Sequence, residues 1–396
     1  MNIEIPNGAL FIIDRLESLG YRADIVGGCV RDALLGRVAN DFDITTSASP
    51  DEVLGAFSDC RVIETGIKHG TVTVLVEGEP YEVTTYRIDG EYADSRHPDS
   101  VTFTTRIEDD LARRDFTVNA MAYSPKHGIT DVFGGRSDLE RRVIRAVGDA
   151  EVRFTEDALR IIRAVRFSAV LGFSVEEKTA SAARALAPRL DGVSRERIYT
   201  EWYKLLSGDG AFDVIREFSD IIRVFLPELS GELPSRESFV GACAEERQLA
   251  LFAVSCGDLA AESFLSAMQR LKTDRRTRER GVAALENYKT PVTSLSDAQR
   301  LAFKIGADSA RLAVKLGVML GFSGRHALSV LDEAVSGEHP YRISDLRVGG
   351  DELSALGLRG REIGETLSEL LECVIDGKID NEKNALLAYL QNHLEK

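Results

Sequence analysis

The apolar positions along the chain fall into two textures. Residues 8–20, GALFIIDRLESLG, place apolar groups at 9, 10, 12, 13, 16 and 19. That is the spacing of one helix face, and Gly20 suits its C-terminal stop. Four short runs rich in β-branched residues follow, bounded by Gly, Pro and Asp: RADIVGG, DFDITT, TVTVLVEG and PYEVTTYR. They predict strands, with GEP at 78–80 as the hairpin turn between the last two. After about residue 150 the strand signals fade, and Ala, Leu, Arg and Glu at helical spacing run to the C-terminus. The prediction is an α+β chain, a small mixed sheet followed by an all-helical remainder. GDGAFD near 208 and DGKIDNEKN near 376 break helices, and the Ser/Glu/Pro stretch at 230–238 marks a boundary. No internal repeat or low-complexity tract interrupts the pattern.

Length and composition add bounds. A chain of 396 residues is too long for one compact core, so two to four modules are expected. The start, MNIEIPNG, lacks the basic and apolar regions of a signal peptide, and no apolar run looks long enough for a membrane span. The five cysteines (Cys29, Cys60, Cys243, Cys256, Cys373) are odd in number, scattered and without a CxxC pair. This argues against a disulfide framework or a zinc site and for a reducing cytoplasm. The net charge of -15 argues against a nucleic-acid partner, but its distribution softens that. Nine Lys/Arg face five Asp/Glu between Arg160 and Lys204, and six face two between Arg270 and Arg280. Local basic faces are compatible with an acidic protein. An ion-paired, solvated helix face explains the second run equally well.

The chemistry concentrates in VGGCVRDALLGRVANDFDITT, residues 26–46. On a strand, Asp41 and Asp43 would point to one side, about 7 Å apart along the backbone, and Phe42 to the other. Two carboxylates on one face suit a pair of divalent cations, although DxD alone is a weak signal. The upstream segment reads as strand, glycine turn and helix start. Glycine lets backbone approach a bulky anion, free amides at a helix start favour phosphate, and Arg31 follows within a turn. Asp32 reads as a structural partner for an arginine. A dinucleotide fingerprint and a Walker loop are both excluded, since neither GxGxxG nor GK[ST] is present. Phosphate-binding amides beside a carboxylate pair point to a nucleoside triphosphate attacked at its α-phosphate. Further on, DLARRDFTVNAMAY gathers Arg113, Arg114, Asp115 and Asn119. RFTEDALRIIRAVRFSAVLGF predicts a helix capped by Thr155, with Glu156 and Asp157 in its first turn. Asp157, Arg160, Arg163 and Arg166 then share one face, opposite Leu159, Ile162 and Val165.

GGCVRD, DFD, RRDFTVNAMA, DVFGGRSDL…RAVGD and EDALRIIRAVRF occur in that order. Together they resemble the class II tRNA nucleotidyltransferases, the CCA-adding enzymes, and the bacterial poly(A) polymerases related to them. The likeness is strong over 22 to about 205 and weak from there to the C-terminus. It implies a nucleotidyltransferase head (1–148), a helical neck (149–206), a helical body (207–295) and a tRNA-binding helical tail (296–396). It implies template-free addition of CCA to tRNA 3′ ends from CTP and ATP, with Mg²⁺ as cofactor and no protein or membrane partner. Asp41 and Asp43 would be catalytic and bind metal, and Glu82 on a neighbouring strand offers a third carboxylate. Gly28, Arg31 and Arg114 would hold the triphosphate. Asp157 and Arg160 would read the base, with Arg163 and Arg166 completing that face. The physics agrees: cytosine and adenine both offer an amino donor beside an unprotonated ring nitrogen, suiting one carboxylate and one guanidinium. Uracil and guanine put a carbonyl against the carboxylate, leaving it unpaired at a cost of about 1–3 kcal/mol.

The resemblance leaves rivals: a poly(A) polymerase, or a specialist adding only CC or only A. ETGIKHGTVTV (64–74) and RIDGEYADSRHPDSVTF (87–103) favour complete CCA addition; the second run is expected to act as a lever that admits A after CC. A non-catalytic RNA-binding protein would have lost an aspartate of DFD or the arginine of GGxVRD, and both are present. The absence of any HD dipeptide excludes the phosphohydrolase domain of some relatives.

Overall fold

The computed structural model describes residues 3–39, 41–90 and 101–394. The expected lever segment, including Glu91, Asp94 and Arg96, lies largely outside them. Contacts divide the chain into two compact units, Met1–Phe225 and Leu226–Lys396. The division falls a few residues before the Ser/Glu/Pro stretch.

The first unit begins with α1 (Asn7–Ser18), which buries Ala9, Ile12, Ile13 and Leu16 as its spacing requires. Gly20, at φ +90°, ends it. The strands β1 (Ala23–Val26), β2 (Ile44–Thr46), β3 (Arg61–Ile63), β4 (Thr71–Val76) and β5 (Glu79–Thr85) follow, with α2 (Gly28–Leu34) between β1 and β2 and α3 (Pro50–Ala56) between β2 and β3. A short hairpin, β6 (Arg87–Asp89) and β7 (Val101–Phe103), precedes α4 (Ile107–Ala112). Strands β8 (Met121–Ser124) and β9 (Gly128–Asp131) complete a seven-stranded sheet in the order β3-β4-β5-β2-β1-β8-β9. Only the β2–β5 pair is parallel, so the sheet is mixed as expected. The β4–β5 turn is Glu77–Gly78, both at positive φ, one residue earlier than GEP suggests. Pro80 falls inside β5, opposite Leu75.

Helices α5 (Gly135–Arg141), α6 (Ala150–Glu156), α7 (Leu159–Leu171), α8 (Glu177–Leu186) and α9 (Arg195–Leu206) follow. Thr155 lies inside α6 and caps nothing. The break falls at Asp157, whose backbone is extended (φ −138°, ψ 103°) and whose Oδ1 accepts from Leu159 N at 3.0 Å. Asp157 is thus the side chain that caps the start of α7, where the sequence pointed to Thr155.

The second unit is helical. One stretch, Ala244–Arg270, is long and apolar enough to cross a membrane, contrary to the sequence impression. It is two helices, Ala244–Cys256 and Ala260–Arg270, separated by Gly257 at φ +57°. They fold against each other, with Phe252 and Phe264 edge to face at 5.3 Å. Gly281 admits the next helix, Arg275–Asn287: a Cβ there would stand 2.2 Å from the Phe264 ring. The basic run is largely ion-paired: Arg270 with Glu228, Arg275 with Glu279, Arg276 with Asp308 and Arg280 with Glu245. All five cysteines are free thiols.

Candidate active site

A cavity of about 360 Å³ opens where α2, the DFD segment, residues 114–119 and α7 converge. Gly27 begins it. Its backbone (φ +82°, ψ −127°) is one that L side chains rarely adopt, and a Cβ there would stand 3.0 Å from Arg114 Nη1. The conformational demand therefore rests on Gly27, one residue before the glycine singled out in the sequence. Gly28 lines the same wall.

Asp41 and Asp43 line the same cavity. They stand just before β2, which starts at Ile44, so DFD is not itself in a named strand. The segment is still tied to the sheet, because Val26 N donates to Asp43 O at 3.0 Å. Phe42 lines a different cavity. Burial pushes the Asp43 carboxyl above the ordinary aspartate range, and the charges of Glu82 and Asp41 push it further, against the pull of Arg114. Glu82, on β5, is not among the lining residues. No group of three or more His, Cys, Asp or Glu among the described residues is placed to hold a metal ion. Even so, crowded carboxylates with an unfavourable charge suit a hard divalent cation, which takes oxygen ligands and relieves their repulsion. Cys29 is no competitor: burial, then the charge of Asp43, lifts its thiol to about 12, so it stays protonated.

Arginines supply the positive wall. Arg31 donates to Asn119 Oδ1 at 2.7 Å and, through Nε and Nη2, to both oxygens of Asp32 at 2.8 Å. Asn119 Nδ2 donates to Asp115 Oδ1 at 3.1 Å. Asp115 Oδ2 accepts from Arg163 at 2.9 and 2.5 Å. Burial alone would raise the Asp115 carboxyl, but Arg163 and the hydrogen bonds from Arg163 and Asn119 hold it at about 2. Arg166 stands 2.5 Å from Glu201 of α9, out of line for a hydrogen bond. The Phe167 ring lies beneath three of these guanidinium groups, at 3.7 Å from Arg166, 5.2 Å from Arg31 and 5.3 Å from Arg163. Arg114 Nε is buried with no hydrogen-bond partner among the described residues, a donor left for an anion.

Carboxylates and arginines around one cavity suit phosphate transfer, and the likeness to known proteins identifies the family. A "CCA-adding enzyme" of Streptococcus suis is 36% identical over 398 residues, covering 98% of this chain and 96% of that protein. The chain belongs to the CCA-adding enzyme family. A second CCA-adding enzyme, from Geobacillus thermodenitrificans, is 38% identical over 397 residues, 96% of each. The crystal structure of the Bacillus stearothermophilus CCA-adding enzyme in complex with CTP superposes with a TM-score of 0.79 at 32% identity, covering 98% of this chain and 97% of that one. Residues 23–145 match the Poly A polymerase head domain, 172–233 the RNA- and SrmB-binding site of polymerase A, and 243–390 the second tRNA nucleotidyltransferase domain.

Of the residues the family likeness implicates, the cavity unites Gly28, Arg31, Asp41, Asp43, Arg114, Arg163 and Arg166. Asp157 and Arg160 are not among the lining residues. Asp157 Oδ2 accepts from Arg197 Nη2 at 2.9 Å. Arg160 donates to Glu156 at 2.7 Å and to the carbonyls of Arg153 and Arg113 at 3.2 and 2.9 Å. Sequence reasoning gave no role to Phe167 or Glu201 and left Asp115 and Asn119 unassigned. The i, i+4 spacing of Asp115 and Asn119 was the available signal for one pair; the others depend on tertiary contacts.

Proposed function

We propose that the chain extends tRNA 3′ ends by C, C and A, using CTP and ATP and no nucleic-acid template. Membership of the family supports this, as does the cavity that four arginines line together with Asp41 and Asp43. Nucleotidyl transfer fits both groups: the tRNA 3′-oxygen attacks the α-phosphorus, the bond to the pyrophosphate oxygen breaks, and pyrophosphate leaves. Asp41 and Asp43 would hold Mg²⁺, with Glu82 contributing charge from β5. Cations bound there would supply activation of the 3′-hydroxyl and stabilisation of the leaving oxygen. Gly28, Arg31 and Arg114 bind the triphosphate, and Arg163 and Arg166 add positive charge beside it. Asp157 and Arg160 read the base, which requires them to exchange partners with it. Residues 1–148 are the catalytic head, 149–206 the neck, 207–295 the body and 296–396 the tRNA-contacting tail, in a cytoplasmic enzyme.

The testing experiment uses tRNA transcripts ending at the discriminator base, at C and at CC. Each is incubated with CTP, ATP or both, and the products are sized. Complete CCA ends from every transcript support the reading. Arrest after CC, extension only from CC, or long A tails identify the specialist or polymerase alternatives; no extension removes the enzymatic reading.

A further inference from the structure

We propose that Asp110 is a positioning residue that holds the phosphate-binding arginine in register with the strand that follows the metal-binding aspartates. The inference rests on the reading of Arg114 as a triphosphate ligand. Asp110 lies on α4 and is fully buried. Its Oδ1 accepts from Arg113 Nε at 2.9 Å and Nη2 at 2.7 Å. Its Oδ2 accepts from Arg114 Nη2 at 3.3 Å and from Thr45 Oγ1 at 3.2 Å. Thr45 is on β2, two residues after Asp43, and is itself fully buried. One oxygen thus joins the Arg114 guanidinium to the strand that leads on from the carboxylates.

Stability alone does not explain such a group. Burying a carboxylate with its arginine partners is no more stabilising, as a rule, than apolar packing of the same volume. What the arrangement does supply is geometry. Arg114 has a long side chain, and its Nε is buried without a partner among the described residues. Asp110 fixes the Nη2 corner of that guanidinium, which lines the cavity. A preorganised guanidinium loses less freedom when the anion arrives, so the anchor favours nucleotide binding without touching the nucleotide.

The test is steady-state kinetics of Asp110→Asn, which keeps the shape and an acceptor but removes the charge. KM for CTP and ATP should rise about tenfold, with kcat changed less than about threefold and KM for tRNA unchanged. A purely structural role would lower the active fraction, reducing apparent kcat with every KM intact, and that result overturns the proposal. In an Arg114→Ala background the same substitution should add nothing, because the two act through one contact. Thr45→Val, which removes the strand's bond to Oδ2 together with the bond from Thr45 Oγ1 to Thr84 O at 3.3 Å, should raise KM for the nucleotides in the same direction; if Asp110→Asn does not fold, this variant decides, and an unchanged nucleotide KM refutes the anchor. Arg114→Ala alone separates the two ideas. If it leaves nucleotide KM unchanged, the phosphate reading of Arg114 fails; if it raises that KM while the Asp110 and Thr45 variants do not, only the present inference fails.

Discussion

Asp115→Asn should destabilise the first unit by an amount that shrinks as the solution is acidified. The side chain is buried and accepts from Arg163, from Asn119 and from Phe116 N. Its carboxyl sits at about 2, against about 3.9 for an unfolded aspartate. A depressed carboxyl contributes stability above the unfolded value and loses it as pH falls through the folded one. The difference of about two units amounts to about 2–3 kcal/mol at pH 7, of which about half is gone at pH 3. Asparagine preserves the shape and an acceptor for Phe116 N but cannot pair with a cation. Arg163 then keeps Glu201 at 3.7 Å, which limits the extra cost of an unpaired guanidinium, so the loss at pH 7 is about the charge contribution. The assay is urea unfolding followed by the single tryptophan, Trp202, which is buried in α9 of the first unit. Subtracting variant from wild type at each pH cancels the other titrating groups. A difference that stays constant from pH 7 to pH 3 would refute the charge argument, and one below about 0.5 kcal/mol at pH 7 would show that the pair carries no net stability.

Four further outcomes follow from the site. Asp43→Asn should abolish nucleotide addition with tRNA affinity nearly intact; more than about a tenth of wild-type activity, or about 1.4 kcal/mol of barrier, removes Asp43 from the metal site. Asp157→Ala should reduce incorporation of C and A and narrow the gap to U, measured as the ratio of kcat/KM values; unchanged discrimination assigns base reading elsewhere. Gly27→Ala places a Cβ at positive φ and 3.0 Å from Arg114, and should cost about 1–2 kcal/mol in denaturant unfolding while raising KM for nucleotides. Chelation of divalent cations should stop addition and weaken CTP binding, followed by equilibrium dialysis; undiminished CTP affinity would show that the arginines suffice.

What the sequence revealed and what it hid divide along contact range. Helix α1 and the β4–β5 hairpin are legible because their apolar spacing and turn residues are local. DFD followed by ITT looked like one strand because its composition is continuous. The ladder with β1 instead begins at Ile44, opposite Ile25, and Asp43 contributes only its carbonyl to Val26. The composition likewise favours Thr155 as the cap with Glu156 and Asp157 in the first turn, so the interruption at Asp157 escapes it; a carboxylate that bonds the amide two residues on replaces that cap. The partners of the site arginines are more remote. Asp115 and Arg163 are 48 residues apart, and Arg166 meets Glu201 from another helix. Sequence spacing placed the arginines on one face but could not say which acids would hold them.

Those acids resolve the conflict between an acidic chain and a polyanionic substrate. The overall charge of -15 says little about the cavity, because charge acts there over a few ångströms. Among its lining residues, Arg31, Arg114, Arg163 and Arg166 are matched by Asp32, Asp41, Asp43 and Asp115, so the formal balance is zero. Asp32 and Asp115 are committed to arginines and orient them. Asp41 and Asp43 have no such engagement among the described residues, and Asp43 is raised by burial and by its neighbours. Filling that carboxylate pair with divalent cations would turn a neutral cavity positive just where phosphate must sit. Nucleotide affinity would then depend on the cation, and the free protein would avoid a strongly basic cleft that binds any nucleic acid indiscriminately.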